Sequence, residues 1–377
     1  MRPNGLSRKD VLIRLEKIHL LDKKYSEGKI LCSMCTKPLP IAKKAYEMFF
    51  ETNLGDPGLF PGAAQLEKEV IMQLAALLNH QNATGLLVSG GTEANLIALL
   101  AARNIKKTKK PELVLAKSAH FSFGKICNML NITPVYAEVD SSFRVDPCDV
   151  EKKITENTVA IIGTAGTAEL GVIDPIDKLS DISVRRNIWL HVDAAFGGLV
   201  LPFLAKPHTL FDFSVRGVKS ITVDPHKMGM APIPTGGLFF RERSPLDYIK
   251  TQTPYLTEKN QHTFIGTRTG ASAASTWAVF NSLGVAGFQR IISSCIRNTQ
   301  LLTIELRKQG FKIVVDPKLN LLAFQSQDSK GLAEKMIYHG WFVSYVPKYN
   351  CIRVVVMPHV KRRHILAFLK DLGTEKL

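Results

Sequence analysis

The sequence predicts an α/β protein in which a mostly parallel central sheet is flanked by helices and followed by a small C-terminal α+β domain. Two patterns carry this reading. From about residue 85, short apolar runs recur, each ending in small or polar residues, and helical stretches such as 93–107 and 176–187 lie between several of them. Alternation of that kind buries both faces of a parallel sheet and leaves ligand sites beyond the carboxyl ends of its strands. After GTRTGASAASTWAVFNSLG the order changes to a long helix, short strands and two further helices, which reads as an arrangement of its own.

Taken in order, helical periodicity dominates residues 9–24, 39–52 and 64–79. The intervening ETNLGDPGLFPGA is too rich in Gly and Pro for regular structure and reads as a long ordered loop. GLLVSGG, ELVLAKS, PVYAEV, TVAIIGTAG, IWLHVDAA, SITVD and GGLFFR are the strands of the sheet. A helix over roughly 285–309 then leads to FKIVVDP, LNLLAFQS, a helix near 328–339, WFVSYV, CIRVVVMP and a final helix.

At 377 residues, 45% hydrophobic and 22% charged, the composition is that of a soluble globular protein with one large and one smaller core. No run approaches the 18 or so apolar residues of a membrane span, and the N-terminal stretch enters an amphipathic helix without a secretory pattern. A cytoplasmic setting is expected, where the six scattered cysteines would be free thiols. Cys32 and Cys35 form a CSMC pair, but no second CxxC accompanies it and no strand and helix frame it, so no metal is expected. The net charge of +16 could draw in anionic ligands or nucleic acid. The lysines are dispersed and no aromatic-interleaved basic motif is present, so a solvated lysine-rich surface is the plainer reading and no nucleic-acid partner is expected.

Three stretches invite chemistry. In VSGGTEANLIALLAA a helix opens on two glycines and a threonine directly after a strand. Its free N–H groups, with Gly91 and Thr92, could cup a phosphate, although an ordinary capped helix reads the same way. Neither GxGxxG nor GxxxxGK is present. In IWLHVDAAFGG, Asp193 follows an apolar strand and would be costly to bury without a partner such as a cationic ring nitrogen; metal ligation or capping are the alternatives. Ala194 and Ala195 leave room for something flat, and His120 in SAHFSFGK could cover its other face or simply pack in the core. TVDPHKMG places Lys227 on a turn after a strand. An amine, a carboxylate for a heteroaromatic cation, a stacking imidazole and a phosphate cup form the set that pyridoxal 5′-phosphate requires. We divide the chain into 1–60, a helical segment and ordered loop; 61–284, the large cofactor-binding domain; and 285–377, the small domain.

SGGTEAN, HVDAAFGG and DPHKMG, in this order and spacing, resemble the group II pyridoxal-phosphate amino-acid decarboxylases, above all their archaeal tyrosine/aspartate branch. NLGDPG, AHFSF, GTAGTAELG, GTRTGA and RVVVMPH extend the likeness over essentially the whole chain. The resemblance implies fold type I and a homodimer with active sites at the subunit interface. It also implies that Lys227 carries the cofactor, Asp193 partners the pyridine nitrogen and His120 stacks on the ring. By the same likeness Gly91, Thr92 and His226 surround the phosphate, Gly266 and Thr267 reach it across the dimer, and Thr167 and Ala195 lie against the ring. Arg353 resembles the arginine that pairs with the substrate carboxylate. Tyr255, in the polar stretch TPYLTEKNQH, matches the tyrosine of a mobile catalytic loop; a packing or surface role reads equally well. Protonation at Cα would fall to Tyr255 or Lys227.

In that branch, tyrosine yields tyramine for methanofuran synthesis and aspartate yields β-alanine for coenzyme A. Tyrosine is favoured here, with LCSMCTKPLP and GDPGLFPG as candidate walls of the side-chain slot. Two competitors remain at this point: a pyridoxal-phosphate enzyme forming cysteine on phosphoserine-charged transfer RNA, and a non-catalytic nucleic-acid-binding or scaffolding α/β protein.

Overall fold

The computed structural model describes residues 3–204 and 210–375. Its N-terminal helices are α1 (Arg8–His19), α2 (Pro40–Phe49) and α3 (Pro61–Leu77). The last starts three residues before the periodicity suggests, because Pro61 occupies its first turn, where the missing N–H costs nothing. Helix α1 stops at His19, short of the predicted 24, and none of its residues is buried.

The large sheet takes β1 (Thr84–Val88), β2 (Glu112–Ala116), β3 (Thr133–Ala137), β4 (Thr158–Thr164), β5 (Trp189–Asp193), β6 (Val218–Val223) and β7 (Gly236–Phe240). They lie in the order β1-β7-β6-β5-β4-β2-β3. Only β7 runs against the rest, pairing antiparallel with β6 and β1. All seven residues of β4, TVAIIGT, are buried, as expected for a strand covered by helices on both faces. Helices α4 (Gly91–Lys106), α5 (Ser122–Leu130), α6 (Pro147–Lys153) and α7 (Ile176–Arg186) supply the cover.

Register decides where the site lies. Thr164 pairs with Asp193 and Asp193 with Thr222, while Gly237 and Gly236 of β7 pair with Val223 and Val88. The carboxyl ends of β1, β4, β5 and β6 therefore share one edge. From it emerge the turns at residues 89–92, 165–168, 194–196 and 224–227.

Beyond the sheet, β8 (Thr251–Gln252) and β9 (Asn260–Gln261) form a short hairpin. Helix α8 (Gly270–Lys308) follows, broken at Gly284 by φ +56°, a conformation that glycine adopts without strain. Strands β10 (Lys312–Ile313), β11 (Leu321–Gln325), β12 (Ser344–Val346) and β13 (Cys351–Val355) make a four-stranded antiparallel sheet, with α9 (Ser329–Tyr338) and α10 (Arg362–Thr374) packed on it. Its core includes Leu302, Phe324, Trp341, Ile352 and Phe368, joined by Leu31 from the N-terminal segment. The backbone N–H of Leu31 donates to Phe342 O (2.8 Å), and Val355 N donates to Leu31 O (2.7 Å). Residues 29–36 are thus a strap bound to the small sheet and leading toward the large one. Among the described residues, no helix is long and apolar enough to cross a membrane.

Candidate active site

A cavity of about 480 Å³ opens where the four strand ends meet. Its wall brings together Gly91, Thr92, His120, Asp193, Ala195, His226 and Lys227, residues spread over more than 130 positions of sequence. Met34 from the strap and Phe196 add apolar surface.

Each polar group has a definite setting. Lys227 follows β6 on a turn closed by its own N–H donating to Asp224 O (3.0 Å). Its Nζ lies 3.1 Å from Asp224 Oδ2. Burial alone would lower the lysine, but the carboxylates of Asp224 and Asp193 outweigh it and hold the amine above its usual range. His226 Nε2 is 3.6 Å from the same Asp224 oxygen, and its Nδ1 accepts from Thr235 N (3.2 Å). Burial keeps this imidazole below its usual range. The other oxygen of Asp224, Oδ1, is buried without a partner.

Asp193 is held differently. Asn95 Nδ2 donates to its Oδ2 (3.0 Å) and Ala195 N to its Oδ1 (3.1 Å). Asn95 Oδ1 accepts from Thr222 Oγ1 (2.7 Å) and lies 2.9 Å from His191 Nε2. That carbonyl can only accept, so Nε2 carries the proton and Nδ1 accepts from Ser220 Oγ (2.7 Å). Ser220 in turn accepts from Trp189 Nε1 (2.8 Å). A line of donors thus runs from Trp189 through Ser220, His191 and Asn95 to Asp193. Full burial lowers His191 to about 4, which keeps it neutral and the line intact.

His120 Nδ1 accepts from Ser122 N (3.3 Å) and pairs with Ser122 Oγ (2.8 Å), which fixes its ring at the cavity wall. Burial lowers its pKa against the opposing pull of Asp193. At the start of α4, a Cβ added to Gly91 would stand 3.0 Å from Asp224 Oδ2 and 3.2 Å from Ala195 Cβ, so only glycine leaves this cradle open. Glu93 ties the cradle down, accepting from Ser89 N (2.7 Å) and Ile265 N (3.0 Å).

Five of the expected residues stand off the cavity. Thr167 is buried in its turn, its Oγ1 accepting from Val172 N (3.0 Å), while Gly166 and Ala168 beside it face the cavity. Gly266 and Thr267 follow the Ile265 that Glu93 binds, and Thr267 lines a separate hollow. Arg353 sits under the strap, its Nη1 donating to Cys32 O (2.7 Å) and its Nε buried without a partner; burial lowers it to about 10. Tyr255 is 87% exposed at the tip of the β8–β9 hairpin. Burial raises both Cys32 and Cys35, and the described residues contain no group of three or more His, Cys, Asp or Glu that could hold a metal.

Asn95, His191, Glu93 and Asp224 were not singled out from sequence. The signals were present: Asn95 lies one helical turn after Gly91, His191 two strand positions before Asp193 on the same face, and Asp224 one turn before Lys227.

The family profile described as the pyridoxal-dependent decarboxylase conserved domain matches residues 59–327. The chain belongs to the pyridoxal-dependent decarboxylase family. This sets aside both competitors raised from sequence and makes the protein a pyridoxal-phosphate-dependent amino-acid decarboxylase, a lyase. The L-tyrosine/L-aspartate decarboxylase of Methanocaldococcus jannaschii is 43% identical over 392 aligned positions, covering 100% of this chain and 99% of that protein. A probable L-aspartate decarboxylase of Archaeoglobus fulgidus is 46% identical over 362 residues, 96% of this chain and 98% of its own. Among solved structures, a sphingosine-1-phosphate lyase of Burkholderia pseudomallei superposes with TM-score 0.91 at 26% identity, covering 99% of this chain and 91% of that one. A glutamate decarboxylase of Lactobacillus brevis gives the same TM-score at 22% identity, over 100% and 94%, and shares the fold.

The residues present fit the cofactor of this family. An open glycine cradle at a helix N-terminus suits its phosphate, a buried carboxylate backed by neutral donors suits its ring nitrogen, and a cavity amine suits its aldehyde.

Proposed function

We propose that this decarboxylase removes the α-carboxylate of L-tyrosine, giving tyramine, and of L-aspartate, giving β-alanine, with tyrosine preferred. The observation that carries the preference is the cavity wall. Among the described residues lining it, Lys227 is the one lysine or arginine, and Met34 and Phe196 are apolar. A second cation for the aspartate side chain is not supplied there, whereas a flat apolar ring finds matching surface.

In this reading Lys227 holds the cofactor covalently. Gly91 and Thr92 offer N–H groups to its phosphate, with His226 alongside and Gly266 and Thr267 approaching from a partner subunit. Bound there, the cofactor supplies a cationic ring that accepts the electron pair released with carbon dioxide. Asp193 keeps the ring nitrogen protonated, and its fixed donors prevent it from turning away. His120 and Ala195 confine the ring from opposite faces, with Thr167 in the turn nearby. By the family likeness Arg353 orients the substrate carboxylate, which requires its guanidinium, now donating to Cys32 O, to turn from under the strap toward the cavity; misplacement by about an ångström can cost a hundredfold in rate. Lys227 or Tyr255 returns a proton to Cα, and the half-buried lysine amine is the one of the two already on the cavity wall.

A homodimer completes this reading. It is supported by α1, where Val11, Leu15 and Ile18 repeat at helical spacing yet stay exposed, and by the exposure of Tyr255. The free state of all six cysteines and the archaeal relatives support an archaeal cytoplasm. The domain division at 284/285 is supported by the break at Gly284.

The test is product analysis of the purified holoenzyme with tyrosine, aspartate, glutamate and DOPA side by side, using Lys227→Ala as control. Tyramine should dominate. Dominant β-alanine would overturn the preference, and release of carbon dioxide from none of the four would overturn the substrate reading.

A further inference from the structure

Asp224 has no part in the proposed decarboxylation, yet it is 2% exposed and lines the cavity beside Lys227. A buried carboxylate is strongly destabilising unless it is paired. Its pairing here is lopsided. Oδ2 meets Lys227 Nζ at 3.1 Å and His226 Nε2 at 3.6 Å, and it lies 3.0 Å from where a Cβ on Gly91 would stand. Oδ1 has no partner, so the group is stabilised chiefly by the lysine's charge.

We propose that Asp224 is the seat of the Lys227 amine whenever that amine is not bonded to cofactor, holding it as an ammonium and thereby setting the rate of cofactor loading. The proposal rests on the reading of Lys227 as the cofactor-bearing lysine. Condensation requires the neutral amine: its lone pair forms the carbon–nitrogen bond with the aldehyde carbon. The carbonyl oxygen leaves as water, carrying the two protons of that amine. An ammonium cannot begin this step, so a carboxylate that favours the charged form slows it. The same contact gives the displaced amine a fixed place during turnover, with its proton retained.

The charged and titratable groups facing Lys227 come from four elements. Asp224 and His226 share its turn, Asp193 ends β5, His120 precedes α5 and Cys35 belongs to the strap. Asp193 is already bonded to Asn95 and Ala195, which leaves Asp224 as the carboxylate within ion-pair distance of Nζ.

The experiment mixes apoenzyme with pyridoxal 5′-phosphate and follows the absorbance of the bound form from about pH 7 to about pH 9.5. Wild-type loading should quicken about tenfold per pH unit without levelling. Asp224→Asn, of the same shape but neutral, should load about tenfold faster near neutral pH and level at lower pH. Asp224→Ser serves as a second neutral variant if the first does not fold, judged by circular dichroism. Loading by the neutral variants at or below the wild-type rate overturns the proposal, as does a wild-type rate that is flat with pH. Borohydride reduction and peptide mapping keep the two readings apart. A label on Lys227, absent from Lys227→Ala, with unchanged loading rates sinks this proposal alone. A label that persists elsewhere in Lys227→Ala removes the assignment beneath it.

Discussion

Two buried carboxylates end neighbouring strands of the same sheet and are stabilised in opposite ways. Asp193, the last residue of β5, receives two neutral hydrogen bonds and is backed by the line Asn95, His191, Ser220 and Trp189. Asp224, after β6, has one oxygen against a movable ammonium and the other without a partner. The difference teaches what each position is for. A carboxylate fixed by backbone and amide donors keeps its place when a cationic ligand arrives, so it can act as a preorganised charge. A carboxylate stabilised by a side chain that must react has no such constancy. It suits a group that holds and releases.

The comparison can be broken most directly at the lysine. Lys227→Ala should reduce decarboxylation by roughly three orders of magnitude or more, the scale of losing a nucleophile, and should abolish the borohydride-stable label. Retention of both would remove the amine from the chemistry. Next, Asp193→Asn keeps the shape but not the charge, and kcat should fall on the order of a hundredfold, within the usual range for a proton-holding group. The folded state should be kept, as judged by circular dichroism. A kcat within a factor of about two of wild type would place the ring nitrogen's partner elsewhere.

Gly91→Ala sharpens the contrast from the Asp224 side. The new Cβ meets Asp224 Oδ2 and Ala195 Cβ within 3.2 Å, so cofactor affinity should weaken by about tenfold, or about 1.4 kcal/mol. Titration of apoenzyme followed by fluorescence reads this, and unchanged affinity would mean that the cradle is not used.

The smallest effect concerns the line behind Asp193. His191 is pushed by burial from 6.5 to about 4, so the unfolded chain binds its proton more readily than the native one. The stability supplied by the neutral ring is full above about pH 6.5 and is lost as pH falls through about 4. His191→Gln removes this titration. Although less stable near neutral pH, it should show a drop in Tm between about pH 7.5 and about pH 5 that is smaller than wild type's by roughly 2 °C. An equal drop in both proteins would place the proton elsewhere.

Much of this was legible in the chain itself. Runs such as TVAIIGT and IWLHV name buried strands because β-branched and aliphatic residues fill both faces of a covered sheet. Gly-Gly-Thr after one strand, Asp-Ala-Ala after another and His-Lys after a third are local signals, each carried by a few adjacent residues at a strand end. These residues do meet on one cavity wall. Helix ends are less legible: α1 is shorter and α3 longer than their periodicity, because periodicity reports a face and is silent about where capping stops it.

What only the tertiary structure decided is which residues stand behind the motifs and which stand away from them. Asn95 and His191 look like ordinary members of an apolar helix and an apolar strand until the register of β5 and β6 brings Thr222 and Ser220 beside them. Arg353 is drawn under the strap by the carbonyl of Cys32, more than 300 positions away, and Tyr255 is carried outward on its hairpin. The physical reason is one of range. Strand ends, caps and turns are set by forces between neighbours in the chain and can be read from them. The partner of a buried charge is chosen by whichever distant group the packing brings within about 3 Å.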